Sequence, residues 1–419
     1  MSESATHLVD TPWGKSRRSQ FHPWHTMCSY LGSFPPQLAR FFIERLSEPG
    51  DIVLDPFAGR GTTHLEARMA QRIPYSSDLN PLAVALTSAK NADVDIERVL
   101  ERVNYLEQRF DLPLYLPVAQ TQSPDIQLIY HPHTLARLCF LRRAIVGSSE
   151  PIDEFLVGAV LGIMHGSERN DGSSAYASIS MPNTFSMAPN YVRKFILENA
   201  LQRADRNVFN LLRDKVKRLM RNVPVVETAG KVVTADAKHL NNEPEFMSIR
   251  GRARLVLTSP PYLNVVNYAK QNWIRLWFLG ENSDGVSDAL DDTLPLGPWL
   301  DFMEEVVDGL VPFLSPNGIV VLVVGDVARS KSSVVSPARE LLRRLHHDKQ
   351  FSYLGAVSDY LNVGGKTTRI WKDTKGQATK VDRVVILSNS QPGHSGANRE
   401  VQEMAEAWAT HAKEFAGLD

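Results

Sequence analysis

The chain of 419 residues is 43% hydrophobic and 22% charged, which is typical of a globular protein with one large domain and an insertion, or with two domains. No apolar run approaches the roughly 20 residues that cross a bilayer, and the first residues lack the apolar centre of a secretory signal, so we expect a cytoplasmic protein without membrane contact. Two cysteines exclude a disulfide framework, and a net charge of −1 means that any nucleic-acid-binding surface must concentrate basic residues locally.

Strands and helices alternate at the start of the chain. Residues 1–20 are predicted to form a flexible polar arm, and 37–48 an amphipathic helix. The β-branched run 52–54 predicts a buried strand that leads through a glycine-rich turn into a helix. A second strand is predicted at 73–77 and ends at Asp78.

The alternation stops near residue 95 and resumes near 230. The block between is mostly helical and ends in a long helix predicted at about 191–221. Strands separated by helices predict an α/β fold with an open, mostly parallel sheet of about seven strands and right-handed crossovers. The later strands are predicted at 232–236, 253–258, 318–324, 351–358 and 383–388. We therefore assign a sheet domain to 21–94 and 226–390, a helical insertion that is a candidate for target recognition to 95–225, and a C-terminal helix to 391–419.

The turn at 55–63 has the features of a nucleotide-binding loop. Gly59 and Gly61 allow a close backbone approach, and a strand that ends in such a turn before a helix directs N–H groups at a ligand. Asp78, 19 residues after Gly59, could hydrogen-bond ribose hydroxyls. A tight turn without a ligand is one alternative. A nicotinamide dinucleotide is disfavoured because His64 stands where a third glycine is expected.

The fourth predicted strand leads into Thr258, Ser259, Pro260, Pro261 and Tyr262. Two consecutive prolines cannot continue a sheet, so the chain leaves it in a rigid turn. Because the carboxyl ends of parallel strands form one crevice, this turn should lie beside the glycine loop. The Pro260 carbonyl and the Ser259 hydroxyl could accept hydrogens from a planar amino group and localise its lone pair, while Tyr262 offers a face to an extrahelical base. A strand terminator with a core tyrosine is the alternative.

Together these two motifs resemble those of the amino-methyltransferases that modify exocyclic nitrogens of DNA bases. The similarity covers about 21–90 and 230–390, including a segment at 21–39 that is similar to the family's N-terminal motif over the methionine end of the cofactor. It implies a class I Rossmann-like methyltransferase sheet, S-adenosylmethionine (AdoMet) as cofactor, double-stranded DNA as partner and no metal. The candidate cofactor-binding residues are Asp55, Phe57, Gly59, Gly61, Thr62, Asp78 and Asp236, and the candidate catalytic residues are Ser259, Pro260, Pro261 and Tyr262.

Several alternatives stay open within this resemblance. Serine at the first position of the tetrapeptide favours cytosine N4 as the acceptor, and adenine N6 is the alternative. Methylation of cytosine C5 is disfavoured because it needs a cysteine nucleophile, and neither Cys28 nor Cys139 follows a proline. An RNA or protein amide methyltransferase and a catalytically inactive nucleic-acid-binding module are the rivals. Restriction or defence components are hypothetical partners, and the oligomeric state is undetermined.

The end of the insertion is the strongest basic segment and is the candidate for phosphate contact. A solvated amphipathic helix is a nearly equal interpretation. The loop at 180–190 could contact bases or the cofactor, although an ordinary connection is favoured. The candidate nucleic-acid-binding residues are Arg203, Arg206, Arg213, Lys217, Arg221 and Tyr268.

Other residues can be interpreted either as functional or as structural. Asp236 could reach the adenine amino group of a bound nucleoside, or be a solvated acid at a strand end. His22, His25 and Cys28 have a spacing that could bind a metal, but their aromatic context favours packing. Tyr268 is a candidate wall of a base pocket, with core packing as the favoured alternative.

Overall fold

The computed structural model describes residues 21–345, 352–360 and 377–388, except 33, 222, 224–227, 262–266, 291, 293 and 331–332. The described strands are β1 Ile52–Asp55, β2 Ile73–Asp78, β3 Lys231–Thr234, β4 Ala253–Thr258, β5 Leu314–Ser330, β6 Ser333–Val335, β7 Ser352–Tyr360 and β8 Gln377–Ser388. The described helices are α1 Pro36–Leu46, α2 Thr62–Met69, α3 Pro81–Asn91, α4 Ile96–Arg109, α5 Leu112–Gln120, α6 Pro124–Ile129, α7 Pro132–Ile145, α8 Pro151–Leu161, α9 Pro189–Glu198, α10 Val208–Leu219, α11 Pro244–Met247, α12 Trp273–Leu279, α13 Ser283–Ala289, α14 Leu296–Leu310 and α15 Pro337–Leu345.

The strands form one sheet in the order β3-β2-β1-β4-β5-β8-β7, with β6 paired to β5. Strands β1 to β5 pair in parallel, whereas β8 runs antiparallel to both of its neighbours. The order reverses at β1, which places a crevice at the carboxyl ends of β1, β2 and β4. The predicted open, mostly parallel Rossmann-like sheet is confirmed, and β6 is an additional short strand that the sequence did not indicate.

Both faces of the sheet are covered by apolar side chains. Val53 and Leu255 pack on one face, in a buried cluster with Phe42 of α1. Leu54 and Val256 pack on the other face, in a cluster that includes residues of α14 and α15. Strands that are buried on both faces must be apolar at nearly every position, which explains why these strands are short continuous apolar runs.

The helices α4 to α10 lie between α3 and β3 in the sequence. Their apolar side chains form one buried cluster with α3 and α12, as Leu86, Phe155 and Phe278 illustrate. The helical insertion therefore shares a hydrophobic core with the helices that cover the sheet. Among the described residues, no helix is both long and apolar enough to cross a membrane.

The single long helix predicted at 191–221 is wrong. Helices α9 and α10 are separated by residues 199–207. Ala200 has a φ of +47°, which is incompatible with a right-handed helix, and the Asn207 side chain accepts hydrogen bonds from the backbone of the first turn of α10. An asparagine cap thus starts a new helix where the charge and apolar pattern suggested continuity.

Several strand boundaries also differ from the prediction, and strand β8 begins at Gln377 rather than at 383. Strand β3 ends at Thr234, so Asp236 lies in the following turn rather than at the strand end. Strand β5 begins at Leu314, earlier than predicted. The predicted arm at 1–20 and the C-terminal helix at 391–419 lie outside the described residues.

A buried carboxylate joins the start of the chain to the helix behind the glycine turn. Glu66 of α2 is inaccessible to solvent, and its Oε1 lies 2.6 Å from Nε2 of His25, in the 3-10 helix Pro23–Thr26. Arg40 of α1 donates from Nε to Oε2 at 2.8 Å. Burial raises the pKa of Glu66, because removal from water disfavours its charged form, while Arg40 opposes that shift.

We expect Glu66→Ala to lower the free energy of unfolding by about 2–4 kcal/mol, because it leaves Arg40 and His25 without their shared partner. Urea denaturation followed by circular dichroism would measure the change. Glu44→Ala, an exposed acid on α1, is the matched control and should change stability by less than about 0.5 kcal/mol. Equal losses in the two variants would contradict this role for Glu66.

Candidate functional site

A cleft of about 830 Å³, including its open mouth, lies at the carboxyl ends of β1, β2 and β4. Its walls include Gly59 from the glycine turn and both Ser259 and Pro261 from the double-proline turn. These two turns are about 200 residues apart in sequence and meet because β1 and β4 are parallel neighbours, with Leu54 opposite Val256.

The two glycines of the turn have different surroundings. Gly59 lines the cleft with a φ of +52°, and a Cβ there would contact Tyr30 at 3.7 Å. Gly61 has a φ of +73° and faces α3, where a Cβ would lie 2.9 Å from Oγ1 of Thr87. Gly59 is therefore placed for a ligand, whereas Gly61 permits the close packing of α2 against α3.

Asp78 holds the glycine turn and faces the cleft. Its Oδ2 accepts the backbone N–H of Gly59 at 2.9 Å, and its Oδ1 accepts that of Asn80 at 2.9 Å. Burial raises the pKa of Asp78 to about 6, and the backbone donors oppose the shift. Each carboxylate oxygen can accept a second hydrogen bond, so Asp78 retains acceptor capacity towards a ligand.

Asp55 does not line the cleft but connects its two turns. Its Oδ1 accepts from Oγ1 of Thr258 at 2.6 Å and from the backbone N–H of Phe57 at 3.2 Å. Burial raises the pKa of Asp55 to about 7, despite these hydrogen bonds. Thr63 reinforces the connection by donating to the Leu257 carbonyl at 3.1 Å.

The double-proline turn is fixed by contacts with neighbouring elements. The Ser259 hydroxyl donates to the Val323 carbonyl of β5 at 2.9 Å, which leaves the lone pairs of its oxygen as acceptors. Nε1 of Trp299 donates to the Pro261 carbonyl at 3.0 Å. Pro260 is buried, and Tyr262 lies outside the described residues.

Of the predicted cofactor residues, all but Asp55 and Gly61 line the cleft. Thr62 does so from the start of α2, and Phe57 lies against Phe302 of α14 with ring centroids 5.9 Å apart. Asp236 lines the cleft from the turn after β3, and its Oδ1 accepts the backbone N–H of Lys238 at 3.0 Å.

Two residues in one wall of the cleft, Tyr30 and Asp292, were not predicted as site residues. Tyr30 stacks on Tyr268 with ring centroids 5.7 Å apart, and Asn80 donates to the Tyr30 hydroxyl at 3.3 Å. Asp292 is buried and accepts the backbone N–H of Tyr268 at 2.8 Å. The sequence offered a signal for Tyr30, which precedes the Gly-Ser-Phe-Pro-Pro segment, but none for Asp292. Tyr268, predicted as a nucleic-acid contact, is thus a wall of the cleft.

Most of the predicted basic contacts are engaged within the protein. Arg206 forms an ion pair with Glu168 at 2.6 Å, and Arg213 pairs with Glu107. Arg203 donates to the carbonyl of Gln127 at 2.7 Å. The exposed basic residues at the end of this segment are Lys217, Arg218 and Arg221.

The histidines and the cysteine near the N-terminus have packing contacts. His25 pairs with Glu66, Nδ1 of His22 accepts the backbone N–H of Trp24 at 3.3 Å, and the Cys28 thiol lies 3.6 Å from the Leu161 carbonyl. Burial lowers the pKa of His22 to about 4 and that of His25 well below its ordinary value. These neutral, buried rings fit the packing interpretation.

Comparisons with known proteins match the part of the chain that contains the glycine turn. A family model described as "DNA methylase" matches residues 9–88. The chain is 32% identical over 85 residues to the type II methyltransferase M.MjaII of Methanocaldococcus jannaschii, and 40% identical over 63 residues to M.PvuII of Proteus hauseri. These alignments cover 20% and 15% of this chain and 16% and 19% of the two relatives, so the chain matches less than a fifth of the length of each.

Solved structures resemble the chain only distantly. TrmN from Thermus thermophilus covers 87% of this chain and 52% of its own length at 13% identity, with a TM-score of 0.34. The rRNA methyltransferase aviRa from Streptomyces viridochromogenes gives a TM-score of 0.29 at 12% identity, covering 90% and 88% of the two chains. Such scores carry no inference about activity. The match over residues 9–88 shows similarity to DNA methylases, and the other alignments show similarity to type II methyltransferases.

Proposed function

We propose that this chain is an AdoMet-dependent methyltransferase that modifies an exocyclic amino nitrogen in double-stranded DNA, with cytosine N4 as the favoured acceptor. The observation that carries the proposal is the shared cleft, because Gly59 of the cofactor-type turn and Ser259 of the double-proline turn line the same space. A methyl donor and an amino acceptor must meet in one cavity that excludes water.

The residues of the cleft fit AdoMet. Asp78 would accept hydrogen bonds from the ribose hydroxyls, and Asp236 would accept one from the adenine amino group. Gly59 lets the backbone approach the ligand, and Arg60, which also lines the cleft, offers a cation to the carboxylate of the methionine end. The bound cofactor supplies an electrophilic methyl group on a sulfonium.

The double-proline turn would orient the acceptor. The lone pair of a base amino nitrogen is delocalised into the ring, so the nitrogen is a poor nucleophile. Ser259 and the carbonyl of Pro260 would accept the two hydrogens of that amino group and favour a tetrahedral nitrogen with a localised lone pair. Because the Ser259 hydroxyl donates its hydrogen to the Val323 carbonyl, its oxygen would act only as a hydrogen-bond acceptor towards the base amino group. Tyr262 and the stacked pair of Tyr30 and Tyr268 would provide aromatic surfaces for an extrahelical base.

The finer parts of the proposal rest on the resemblance. Serine as the first residue of the tetrapeptide favours cytosine N4 over adenine N6. The match to a family model described as "DNA methylase" supports DNA as the substrate, and the type II methyltransferases among the relatives agree with it. A role in restriction–modification with a nuclease partner rests on the resemblance alone. Transfer to RNA or to a protein amide would use the same chemistry and is an outcome of the test below.

We expect the purified chain to transfer tritiated methyl from AdoMet to duplex DNA, and not to RNA or protein offered separately. Ser259→Ala should lower the rate about 100-fold or more, because it removes an acceptor that acts on the reacting nitrogen, while AdoMet binding by calorimetry stays unchanged. Ser248→Ala, at an exposed serine, is the matched control and should retain the full rate. Mass spectrometry of the digested nucleosides would identify N4-methylcytosine.

Each of the other results has a defined meaning. If RNA or protein were labelled and DNA were not, the substrate would be RNA or protein rather than DNA. N6-methyladenine would correct the acceptor. If the unmodified chain bound DNA but transferred no methyl group, the proposal of an enzyme would be overturned in favour of an inactive DNA-binding module.

We expect AdoMet affinity to fall by up to about tenfold per pH unit below pH 6, because the pKa of Asp78 is about 6 and its protonated carboxyl loses acceptor capacity for the ribose. Asp78→Asn should bind AdoMet more weakly at pH 8 and lose this dependence between pH 5 and 7. Asp284→Asn, at an exposed acid, should behave as the unmodified chain does. Calorimetric titrations across this range would measure both effects, and an unchanged slope in Asp78→Asn would rule out Asp78 as its source.

A further inference from the structure

A cluster of possible metal ligands lies within the helical insertion, where the sequence suggested none. It consists of His131, His133 and Asp205, whose ligand atoms all lie within 4.8 Å of one another. Nδ1 of His133 lies 3.2 Å from Oδ2 of Asp205, and Nδ1 of His131 lies 3.9 Å from Oδ1. The three side chains are 31%, 40% and 40% exposed, so an ion in solution can reach them.

The spacing of these atoms suits a tetrahedral ion. Two ligands that are each about 2.0–2.1 Å from a tetrahedral zinc ion lie about 3.3 Å apart. The separation between Nδ1 of His133 and Oδ2 of Asp205 is 3.2 Å, and that between Nδ1 of His131 and Oδ1 of Asp205 is 3.9 Å, so the two lie at or slightly above this value. Small side-chain rotations would therefore bring the three donors onto one ion, with water completing the coordination. Two imidazoles and a carboxylate favour zinc and related transition metals over magnesium or calcium.

The surroundings of the cluster orient the ligands. Oδ1 of Asp205 accepts from Arg137 at 2.6 Å and from Oγ1 of Thr134 at 3.4 Å, which directs Oδ2 towards His133. Metal-binding carboxylates are usually held by such outer partners. Nδ1 of His131 accepts the backbone N–H of His133 at 3.2 Å, so an ion bound by this nitrogen would replace that hydrogen bond. Arg137 also places a positive charge beside the site, which lowers its affinity for a cation.

We propose that His131, His133 and Asp205 bind one zinc-type divalent ion that fastens the segment between α9 and α10 to the start of α7. The two histidines flank Pro132, the first residue of α7, and Asp205 belongs to the irregular segment 199–207. The ion would thus connect parts of the insertion that are about 70 residues apart in sequence.

The segment that the ion would fasten has little apolar packing of its own. Within α9 the buried residue is Val192, whereas Leu197 is 81% exposed. The stretch 199–206 is almost entirely exposed or half-buried, and polar contacts such as the Arg206–Glu168 ion pair hold it. A segment with few buried apolar contacts opens readily, so a metal ion that bridges it to α7 would slow that opening.

Zinc chloride titrated into the full chain tests the proposal without any assay of methyl transfer. Calorimetry should give one zinc ion per chain. The affinity should fall about tenfold or more in His133→Ala and in His131→Ala. His239→Ala, at an exposed histidine outside the cluster, is the matched control and should bind as the unmodified chain does. Zinc should slow hydrogen exchange of the amides in 199–207 in the unmodified chain and in His239→Ala. It should not slow this exchange in His131→Ala or His133→Ala.

Two results would overturn the site. Absence of zinc binding at 100-fold molar excess would mean that the cluster is an ion-pair network centred on Asp205. Undiminished binding in both histidine variants would place the ion elsewhere. Because neither measurement depends on AdoMet or DNA, failure of the metal site and failure of the methyltransferase proposal are distinguishable.

Discussion

The organisation of the cleft depends on one buried hydrogen bond, from the hydroxyl of Thr258 to the carboxyl of Asp55. These residues end β4 and β1, and each is followed at once by one of the two turns that line the cleft. The bond can form because the strands are parallel and in register, and it fixes the distance between the turns. Burial of the Asp55 carboxyl disfavours its charged form and raises its pKa to about 7. A carboxyl in this position is therefore a structural tie between the glycine turn and the double-proline turn.

The insertion is coupled to this tie through a continuous core. Helix α2 follows the glycine turn, and its Glu66 contacts both His25 and Arg40. These contacts fix the segment around His25 and helix α1 behind the glycine turn. The helices of the insertion share their apolar cluster with α3 and α12. Nζ of the buried Lys215 in α10 donates to the Thr26 carbonyl at 3.2 Å, which extends the same network. The insertion and the helices that cover the sheet thus share one packed core.

The basic segment illustrates how charge in a sequence is divided between folding and binding. Arg206 pairs with Glu168 of the loop after α8, Arg213 pairs with Glu107 of α4, and Lys215 is buried, so these residues hold the insertion together. The exposed charge remains at Lys217, Arg218 and Arg221. A count of basic residues along the chain overestimates the surface available to a phosphate backbone, because it cannot see their acidic partners.

The sequence by itself determined the sheet, the two turns and their proximity, because these follow from local patterns: apolar runs, glycines before a helix, and two prolines that must leave a strand. It also indicated Asp78 through its spacing from Gly59. Only the tertiary structure decided which glycine lines the cleft, that Asp55 joins the turns, and that Tyr30 and Asp292 complete the wall. It also separated α9 from α10 and brought Asp205 to His131 and His133. The reason is that these features depend on contacts between residues distant in sequence, which no local pattern records.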